Sequence, residues 1–277
     1  MMQCAEAIRH YSSADLENID TAMQAKKIFQ MFLDMLEHGK IRAAECIDGE
    51  WVVNSWVKEG ILLGFRLGTL TDMSNGRFSF FDKNTYPLQV FGAERRLRIV
   101  PGGTSVRRGS YCAEGVVIMP PSYVNVGAYV DEGTMLDSHS LVGSCAQIGK
   151  RCHISAGTQI GGVLEPINAL PVVVEDDVFV GGNCGLYEGV RVGTRAVIAA
   201  GNVITGSSVL YDIPNERTIE PHNGRLSIPE GAVVIPGSRP ARGVFAAEMQ
   251  LQLSAPIIVK YRDERTSSKT ALEEALR

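Results

Sequence analysis

The sequence predicts a mainly β protein built on a left-handed parallel β-helix, with an N-terminal α-helical domain and a short C-terminal strand–helix extension. The main observation is an aliphatic residue at every sixth position from Ile118. The positions are Val124, Val130, Leu136, Val142, Ile148, Ile154 and Ile160, then, after a break, Val174, Val180, Leu186, Val192, Ile198, Ile204 and Leu210. Hexapeptide repeats are typical of a parallel β-helix, in which three hexads form one triangular coil, so these positions predict about five coils.

A small residue stands two positions before most of these aliphatic residues. The small residues are Ser122, Ala128, Thr134, Ser140, Ala146, Cys152, Thr158, Cys184, Ala196 and Ser208. Both kinds of residue are expected to face inward, the small one near a corner that leaves no room for bulk. Gly, Asn and Asp fill many positions between them, and these residues best tolerate the backbone conformations of corners.

The pattern divides the chain into three parts. Residues 1–100 lack it and are predicted to form the helical domain, with a helix over 14–38 capped by Ser13, a hairpin at Asp48–Gly49 and a helix over 55–66. Residues 101–243 are assigned to the β-helix, which fades after Leu210 into a stretch rich in Pro, Asn and Gly. Residues 244–277 are assigned to the extension, with a strand over 244–261 and a helix from about 269.

The repeat is interrupted once. Ile160 and Val174 are 14 positions apart rather than 12, so residues 162–172 are predicted to leave the coil as a loop. Loops that project from a solenoid often border its binding face.

Composition and charge restrict the class of protein. Of the 277 residues 45% are hydrophobic and 21% charged, and the net charge of −4 comes with no basic run of the kind that binds nucleic acid. The chain lacks an N-terminal signal and the apolar run of about 18 residues that a membrane helix needs. Six cysteines without C-x-x-C spacing predict reduced thiols in a cytoplasmic protein, with Cys152 and Cys184 in the core.

Parallel β-helices of this kind mostly belong to acyltransferases, which use a thioester of coenzyme A or of a carrier protein. This is an analogy of fold and fixes no substrate. Flat sides rich in β-branched residues would be adhesive on a monomer, so we expect a homotrimer. The long narrow clefts between its subunits suit an extended pantetheine arm.

Several longer strings carry a more specific resemblance. YVNVGAYVDEGTM (123–135), LVGSCAQIGK (141–150) and IGGVLEP (160–166) resemble the tetrahydrodipicolinate N-succinyltransferase family of bacterial lysine and diaminopimelate biosynthesis. The resemblance extends beyond the repeats, to AAECIDGEWVVNSWVKEGILLGFR (43–66) and APIIVKYRD (255–263). It covers most of the chain, and these motifs are far more specific than the hexad.

The resemblance implies a reaction. A succinyl group passes from succinyl-CoA, a co-substrate rather than a bound cofactor, to the nitrogen of tetrahydrodipicolinate, and ring opening gives N-succinyl-2-amino-6-oxopimelate and CoA. The chemistry needs a proton relay, cations for two substrate carboxylates and donors at the thioester carbonyl, but no metal. The sequence leaves open whether the donor is succinyl-CoA or acetyl-CoA.

Asp137 has two interpretations. It follows the inward Leu136, and Asn125 and Asp131 hold the same place in their hexads, so it could be a corner residue chosen for its backbone. In the resemblance, an Asp in this M-x-D context contacts substrate and relays a proton, which makes Asp137 the first candidate for catalysis and substrate binding. Many relatives continue with Thr-Trp where this chain has Ser138-His139.

Two further residues are assigned by the resemblance. Glu188 is the second catalytic candidate, although exposed Glu is usually only solvated and Gly185 stands where many relatives have another carboxylate. Arg98 matches an Arg that binds a substrate carboxylate, a task suited to the planar two-pronged guanidinium. Arg107 and Arg108 are alternatives that are expected to be surface charges.

Coenzyme A contacts are predicted at the C-terminal end. Lys260 is the favoured partner of the CoA phosphates, ahead of Arg262 and Arg265, although a solvated charged surface would explain all three. Gly201, at a late corner, would let the pantetheine approach the backbone.

The positions of the histidines bear on two alternative functions. A His-dependent O-acyltransferase would use His139 or His153 as general base, but a deprotonated amine nucleophile needs less help. A zinc enzyme on this scaffold needs three converging histidines, and His139, His153 and His222 include no close pair. A non-catalytic scaffold would need neither the loop at 162–172 nor the family-like ends.

Overall fold

The computed structural model describes residues 2–76 and 78–263. Its N-terminal part contains three helices and two short hairpins, and a single 3₁₀ turn at Ala93–Arg95 precedes the coil. In chain order these elements are α1 (Met2–Ser12), α2 (Ile19–Glu37), β1 (Ala44–Ile47), β2 (Glu50–Val53), α3 (Ser55–Leu67), β3 (Leu70–Asp72) and β4 (Phe81–Lys83).

The predicted helix over 14–38 begins later than expected, and another helix precedes it. α2 is capped by Asn18, whose side chain accepts a hydrogen bond from the backbone N–H of Thr21 at 3.0 Å. Ser13 instead follows α1 and donates back to the carbonyl of His10 at 3.1 Å. The hairpin at Asp48–Gly49, where both residues have positive φ, and the helix at 55–66 are confirmed.

The central part is a parallel coil of very short strands joined by tight corners. The strands are β5 (Arg98–Ile99), β6 (Ser105–Val106), β7 (Tyr111–Cys112), β8 (Val117–Ile118), β9 (Tyr123–Val124), β10 (Tyr129–Val130), β11 (Met135–Leu136), β12 (Leu141–Val142), β13 (Gln147–Ile148), β14 (His153–Ile154), β15 (Gln159–Ile160), β16 (Val173–Val174), β17 (Phe179–Val180), β18 (Gly185–Leu186), β19 (Val190–Val192), β20 (Val197–Ile198) and β21 (Val203–Ile204).

Successive coils lie in register, so the predicted aliphatic residues from Ile118 to Ile204 stack on one another. The prediction is wrong for Leu210, which is buried but does not continue the column, because Val192 pairs with Ile228 instead. Leu136 pairs with Ile154, and Val130 with Ile148, which are the 18-residue steps that three hexads require. All fifteen predicted positions are buried, with 1% or less of their surface exposed. Burying such a side chain contributes about 1.5–3 kcal/mol, so this column is the main source of the coil's stability.

The remaining elements close the C-terminal end. They are β22 (Leu210–Asp212), β23 (Arg217–Ile219), β24 (Leu226–Ile228), β25 (Ala232–Pro240), α4 (Val244–Glu248) and β26 (Gln252–Tyr261). The strand predicted over 244–261 is therefore a short helix followed by a strand, and the Pro, Asn and Gly-rich stretch contains strands of its own. The helix predicted from about 269, like Arg265, lies outside the described residues.

Three faces can be defined by their hydrogen-bonded strands. The first face contains β5, β8, β11, β14, β17, β20 and β25, and β26, β22 and β23 extend its sheet. The second face contains β6, β9, β12, β15, β18 and β21, and the third contains β7, β10, β13, β16, β19 and β24. The parallel coil thus begins before Ile118 and continues past Leu210, beyond the five or so coils that the periodicity predicts.

The predicted loop at 162–172 is present, but the insertion is larger than the sequence count suggested. Gln147 pairs with Val173, 26 positions away instead of 18, and Gln159 pairs with Gly185 in the same way. One corner therefore carries eight extra residues. The sequence count placed two hexads between Ile160 and Val174 and so predicted only two extra residues. The buried ammonium of Lys58 on α3 holds this loop by donating to the carbonyl of Ala169 at 2.6 Å.

The N-terminal part covers the third face. Val126 and Cys145 of the coil belong to the same hydrophobic cluster as the three helices. The guanidinium of Arg42 stacks on the Tyr129 ring at 3.7 Å, and the indole N–H of Trp51 donates to Glu175 at 2.9 Å. These contacts leave the corner between the first and second faces uncovered by the N-terminal helices.

Candidate active site

The corner where the first face turns into the second, called the first–second corner, carries Asp137. The backbone N–H of Asp137 donates to the carbonyl of Ile154 at 2.8 Å, and its carboxylate Oδ1 accepts from the N–H of Ser138 at 2.7 Å. In the part of the chain that the structure describes, Oδ2 accepts no hydrogen bond. The half-buried carboxylate therefore keeps one oxygen available to a substrate.

The structural role that Asn125 and Asp131 suggested for Asp137 is real. Oδ1 of Asn125 accepts from the next N–H at 2.8 Å, and Asp131 makes the same contact with Glu132 at 2.8 Å. All three residues stabilise a corner in the same way. Asp137 differs by lying on the first–second corner, whereas Asn125 and Asp131 lie where the second face meets the third and the third meets the first.

Buried hydroxyl groups support this corner from inside. The Ser122 hydroxyl lies 2.7 Å from the carbonyl of Met119, 3.0 Å from that of Asp137 and 3.1 Å from the Ser140 hydroxyl. Sequence analysis placed Ser122 and Ser140 in the coil only as small inward residues. The presence of hydroxyl groups at these two positions was the feature of the sequence that could have indicated hydrogen bonds to buried carbonyls at the corner.

His139 is exposed on the same corner, two residues after Asp137. It has a φ of +61°, and its N–H donates to the carbonyl of Pro121 at 2.7 Å. Its side chain lines a shallow depression of about 370 Å³ together with Tyr123, Leu141 and Gln159. His139 therefore occupies the wall beside Asp137, at the position where the sequence departs from many relatives.

Arg98 is exposed at the start of the coil, in the first strand of the first face. It pairs with Val117, which in turn pairs with Met135, two residues before Asp137. Adjacent strands are about 4.8 Å apart, so the backbones of Arg98 and Met135 are separated by about 10 Å.

Arg107 and Arg108 have structural partners. Arg107 is buried, forms an ion pair with Asp82 at 2.5 Å and donates to Asn125. Arg108 binds Glu37 at 2.8 Å, and this hydrogen bond raises the pKa of its guanidinium. Both residues connect the N-terminal part to the coil, so they are not free surface charges as the sequence suggested.

Glu188 is exposed on a different corner, between β18 and β19, where the second face meets the third. A full face therefore separates it from Asp137 within one chain. A Cβ at Gly185, where the resemblance predicts an additional carboxylate, would lie 2.6 Å from the Tyr187 ring. Sequence analysis missed Tyr187, whose ring fills the space that a side chain at 185 would need.

The two residues predicted to meet coenzyme A lie toward the C-terminal end. Gly201 has a φ of +78°, and no atom lies within 4 Å of the position a Cβ would take. It shares the first–second corner with Asp137, at a later coil. Lys260 is half-buried on β26 opposite Val233, in the sheet that extends the first face.

His153 and His222, the other two histidines considered as metal ligands, lie in different surroundings. The His153 ring stacks on Phe179 with a centroid distance of 5.2 Å, and His222 pairs with Arg225 in a turn. Over residues 2–76 and 78–263, no group of three His, Cys, Asp or Glu side chains is arranged to hold a metal ion. The same residues include no helix long and apolar enough to cross a membrane. All six cysteines are unpaired, and burial raises the pKa of the Cys152 thiol to about 12.

The parallel coil of hexapeptide repeats is the fold of the hexapeptide-repeat transferases. Two family models match the chain. The model for the hexapeptide repeat of succinyl-transferase matches residues 171–206. The model for the tetrahydrodipicolinate N-succinyltransferase N-terminal domain matches residues 8–67.

Relatives match nearly the whole chain. A 2,3,4,5-tetrahydropyridine-2,6-dicarboxylate N-succinyltransferase from Acinetobacter baylyi is 42% identical over 95% of this chain and 94% of its own length. The enzyme of that name from Polynucleobacter asymbioticus is 46% identical over 88% and 87%. The chain belongs to the tetrahydrodipicolinate N-succinyltransferase family.

A solved structure shows a similar fold. A Campylobacter jejuni protein, named as a candidate 2,3,4,5-tetrahydropyridine-2-carboxylate N-succinyltransferase, superimposes with a TM-score of 0.50 and 15% identity. The match covers 91% of this chain and 64% of that one. At this identity the likeness concerns the fold alone.

Proposed function

We propose that this chain transfers the succinyl group of succinyl-CoA to the nitrogen of 2,3,4,5-tetrahydropyridine-2,6-dicarboxylate, in lysine and diaminopimelate biosynthesis in the cytoplasm. The observation that carries the proposal is the 42% identity to a relative of that name over 95% of the chain. Water adds to the imine, the ring nitrogen attacks the thioester carbon and CoA leaves as the thiol. Ring opening then gives N-succinyl-2-amino-6-oxopimelate.

Asp137 is the proposed proton relay. As the nitrogen bonds to the acyl carbon it loses a proton, and a carboxylate within hydrogen-bond reach accepts it. The free Oδ2 of Asp137 and its open corner support this role. Arg98 is the proposed partner of a substrate carboxylate. Its exposure on the first face supports this role, as does a separation of about 10 Å between its backbone and that of Met135.

Gly201 and Lys260 are the proposed coenzyme A contacts. Open space in front of Gly201 leaves room for the pantetheine along the corner that also carries Asp137. A lysine ammonium suits a phosphate as a point charge, and Lys260 lies near that end of the coil.

The proposed assembly is a homotrimer of left-handed coils with sites between subunits. Asp137 and Glu188 lie on different corners, so a site that uses both as catalytic groups draws them from two chains. We expect light scattering to give a mass of about three times 30.0 kDa. A monomer of full activity would contradict a site shared between subunits.

The reaction is tested by thiol release. Purified protein is mixed with tetrahydrodipicolinate and either succinyl-CoA or acetyl-CoA, and free CoA is measured with a thiol reagent. We expect release that depends on the acceptor and is faster with succinyl-CoA. Faster release with acetyl-CoA would change the donor, and release with neither would refute the proposed function.

A further inference from the structure

A cleft of about 580 Å³ lies between the β1–β2 hairpin and the corner where the third face meets the first. Its walls come from both the N-terminal part and the coil. The charged and aromatic residues that matter for binding are Arg42, Glu45, Trp51, Asp131, Glu175 and Asp176. None of them belongs to the proposed acyl-transfer site, which lies on another corner of the coil.

The guanidinium of Arg42 is held in a fixed orientation at this cleft. Its Cζ lies 3.7 Å from the centre of the Tyr129 ring and 5.5 Å from that of Trp51, and its Nε donates to Gln147 at 2.9 Å. Across the described residues, its two terminal nitrogens donate no hydrogen bond and join no ion pair. A stacked guanidinium with free terminal N–H groups is already oriented to bind a carboxylate through two parallel hydrogen bonds.

The carboxylates around Arg42 outnumber the positive charges. Burial lowers the pKa of Arg42, while Asp131, Glu45 and Asp176 favour its charged form without forming ion pairs with it. Glu175 is neutralised by Arg191 at 2.7 Å. One cation and three anions then remain, so the cleft lacks two positive charges.

Each of the three carboxylates uses one oxygen in the fold. Glu45 accepts from Asn54 at 3.0 Å, Asp131 from the N–H of Glu132 at 2.8 Å and Asp176 from the N–H of Lys150 at 2.8 Å. A nearby cation, Arg151, lies 4.0 Å from Asp176 and is itself paired with Asp177 at 2.7 Å. The second oxygens of Glu45 and Asp131 are thus left for cationic groups, while Oδ2 of Asp176 has only the distant contact with Arg151.

We propose that this cleft binds an α-amino acid that carries a second amino group. The ligand carboxylate binds the terminal nitrogens of Arg42, its ammonium groups bind Asp131, Asp176 and Glu45, and its aliphatic chain lies along Trp51. A ligand with only a carboxylate would meet an excess of negative charge, and a diamine would leave Arg42 unpaired. Because the walls belong to two parts of the chain, bound ligand would hold the hairpin against the coil.

The test is calorimetric titration of the whole protein with three probes. L-lysine has all three charges, L-norleucine lacks the second amino group and cadaverine lacks the carboxylate. We expect L-lysine to bind about tenfold or more tightly than either of the others, and to raise the Tm. No heat with L-lysine at about 10 mM, or equal affinity for the three probes, would overturn the proposal.

Matched variants locate the site. Asp131→Asn and Asp176→Asn keep the Oδ1 that accepts from Glu132 and Lys150, so the corners are preserved while a charge is lost. Each should raise the Kd for L-lysine by about tenfold. Arg42→Lys should have the same effect, because a lysine cannot form the two parallel hydrogen bonds of a guanidinium to a carboxylate. Glu114→Gln, an exposed partner of Arg96, is the control and should change nothing.

These measurements separate the cleft from the acyl-transfer site. Binding of L-lysine that survives both Asn variants would place the ligand elsewhere and refute the inference, even if Arg42→Lys failed to fold. Thiol release measured without L-lysine should be the same in the Asn variants and the wild type, so failure of the transferase assignment would be seen independently.

Discussion

Replacing Asp137 by Asn is expected to lower the rate of acyl transfer by about 10² or more, the usual scale for losing a general acid or base. Asn keeps the Oδ1 acceptor that caps Ser138, so the corner and the oligomer should be retained. What is lost is the negative charge and the ability to take a proton at Oδ2. Steady-state thiol release, with circular dichroism and light scattering on the same sample, measures the effect.

Asp131→Asn is the matched control, because Asp131 makes the same hydrogen bond on a different corner. It should leave the rate near that of the wild type. Glu188→Gln should cause a smaller or similar loss to Asp137→Asn, and His139→Asn and His153→Asn much less. Near wild-type activity in Asp137→Asn combined with an inactive His139→Asn would point to a His-dependent O-acyltransferase instead.

Replacing Glu175 by Ala is expected to lower the free energy of unfolding by about 2–4 kcal/mol. This carboxylate joins the N-terminal part to the coil. It accepts hydrogen bonds from the indole of Trp51, the guanidinium of Arg191 and both the N–H and the hydroxyl of Thr194. Its removal leaves those partly buried donors without their acceptor. Urea unfolding followed by fluorescence measures the change.

The same contacts give the effect of Glu175 a pH dependence. Burial alone would raise its pKa, but the hydrogen bonds from Trp51 and Arg191 outweigh it, and the pKa is lowered from 4.5. A lowered carboxyl pKa contributes stability above the unfolded value and loses it as pH falls through the folded value. Comparison of the wild type with Glu175→Gln should therefore show a difference that shrinks below about pH 4.5.

Glu132→Gln serves as the control for this effect. Glu132 is exposed and lies 3.6 Å from the Lys150 ammonium, so its loss should change stability by less than about 1 kcal/mol. A Glu175→Ala variant as stable as Glu132→Gln would show that the hydrogen bonds of Glu175 do not help to hold the coil and the N-terminal part together.

The coil could be predicted from the sequence because its core is formed by single aliphatic residues that recur at a fixed six-residue spacing. Leu136 and Ile154 face inward because the core has room for one large side chain of each hexad beside a small one. The turn at Asp48–Gly49 was equally visible, since its residue types suit positive φ. In these cases the local preference of the residues and the tertiary packing favour the same conformation.

Other features depended on competition that a sequence does not resolve. Ser13 and Asn18 are both good caps, and only packing shows that Ser13 follows one helix while Asn18 begins the next. The insertion before Val174 was undercounted because either one or two hexads could be placed there. β25 and β26 pair antiparallel, so their partners do not recur at six-residue spacing.

The candidate site was only partly visible for a related reason. The M-x-D context identified Asp137, but Asn125 and Asp131 hold the same place in their hexads, and the arrangement of the faces is needed to show that only Asp137 of the three lies on the first–second corner. The ring of Tyr187 against Gly185 follows from how two neighbouring residues fold at a corner, which no spacing records. Arg107 and Arg108 resembled surface charges because their partners Asp82 and Glu37 lie far away in the chain.

The reversal of strand direction at the C-terminal end of the first face determines how the molecule ends. Up to β25 each strand offers its edge to a parallel neighbour, so an uncapped coil could add another coil of the same kind from a different molecule. β26 runs antiparallel to β25, with a register shift at Val233 and Val234. β22 and β23 follow β26 in this sheet, and β23 pairs antiparallel with β22, so the free edge of the first face no longer matches the start of another coil. This mismatch opposes growth of the protein end to end into fibres.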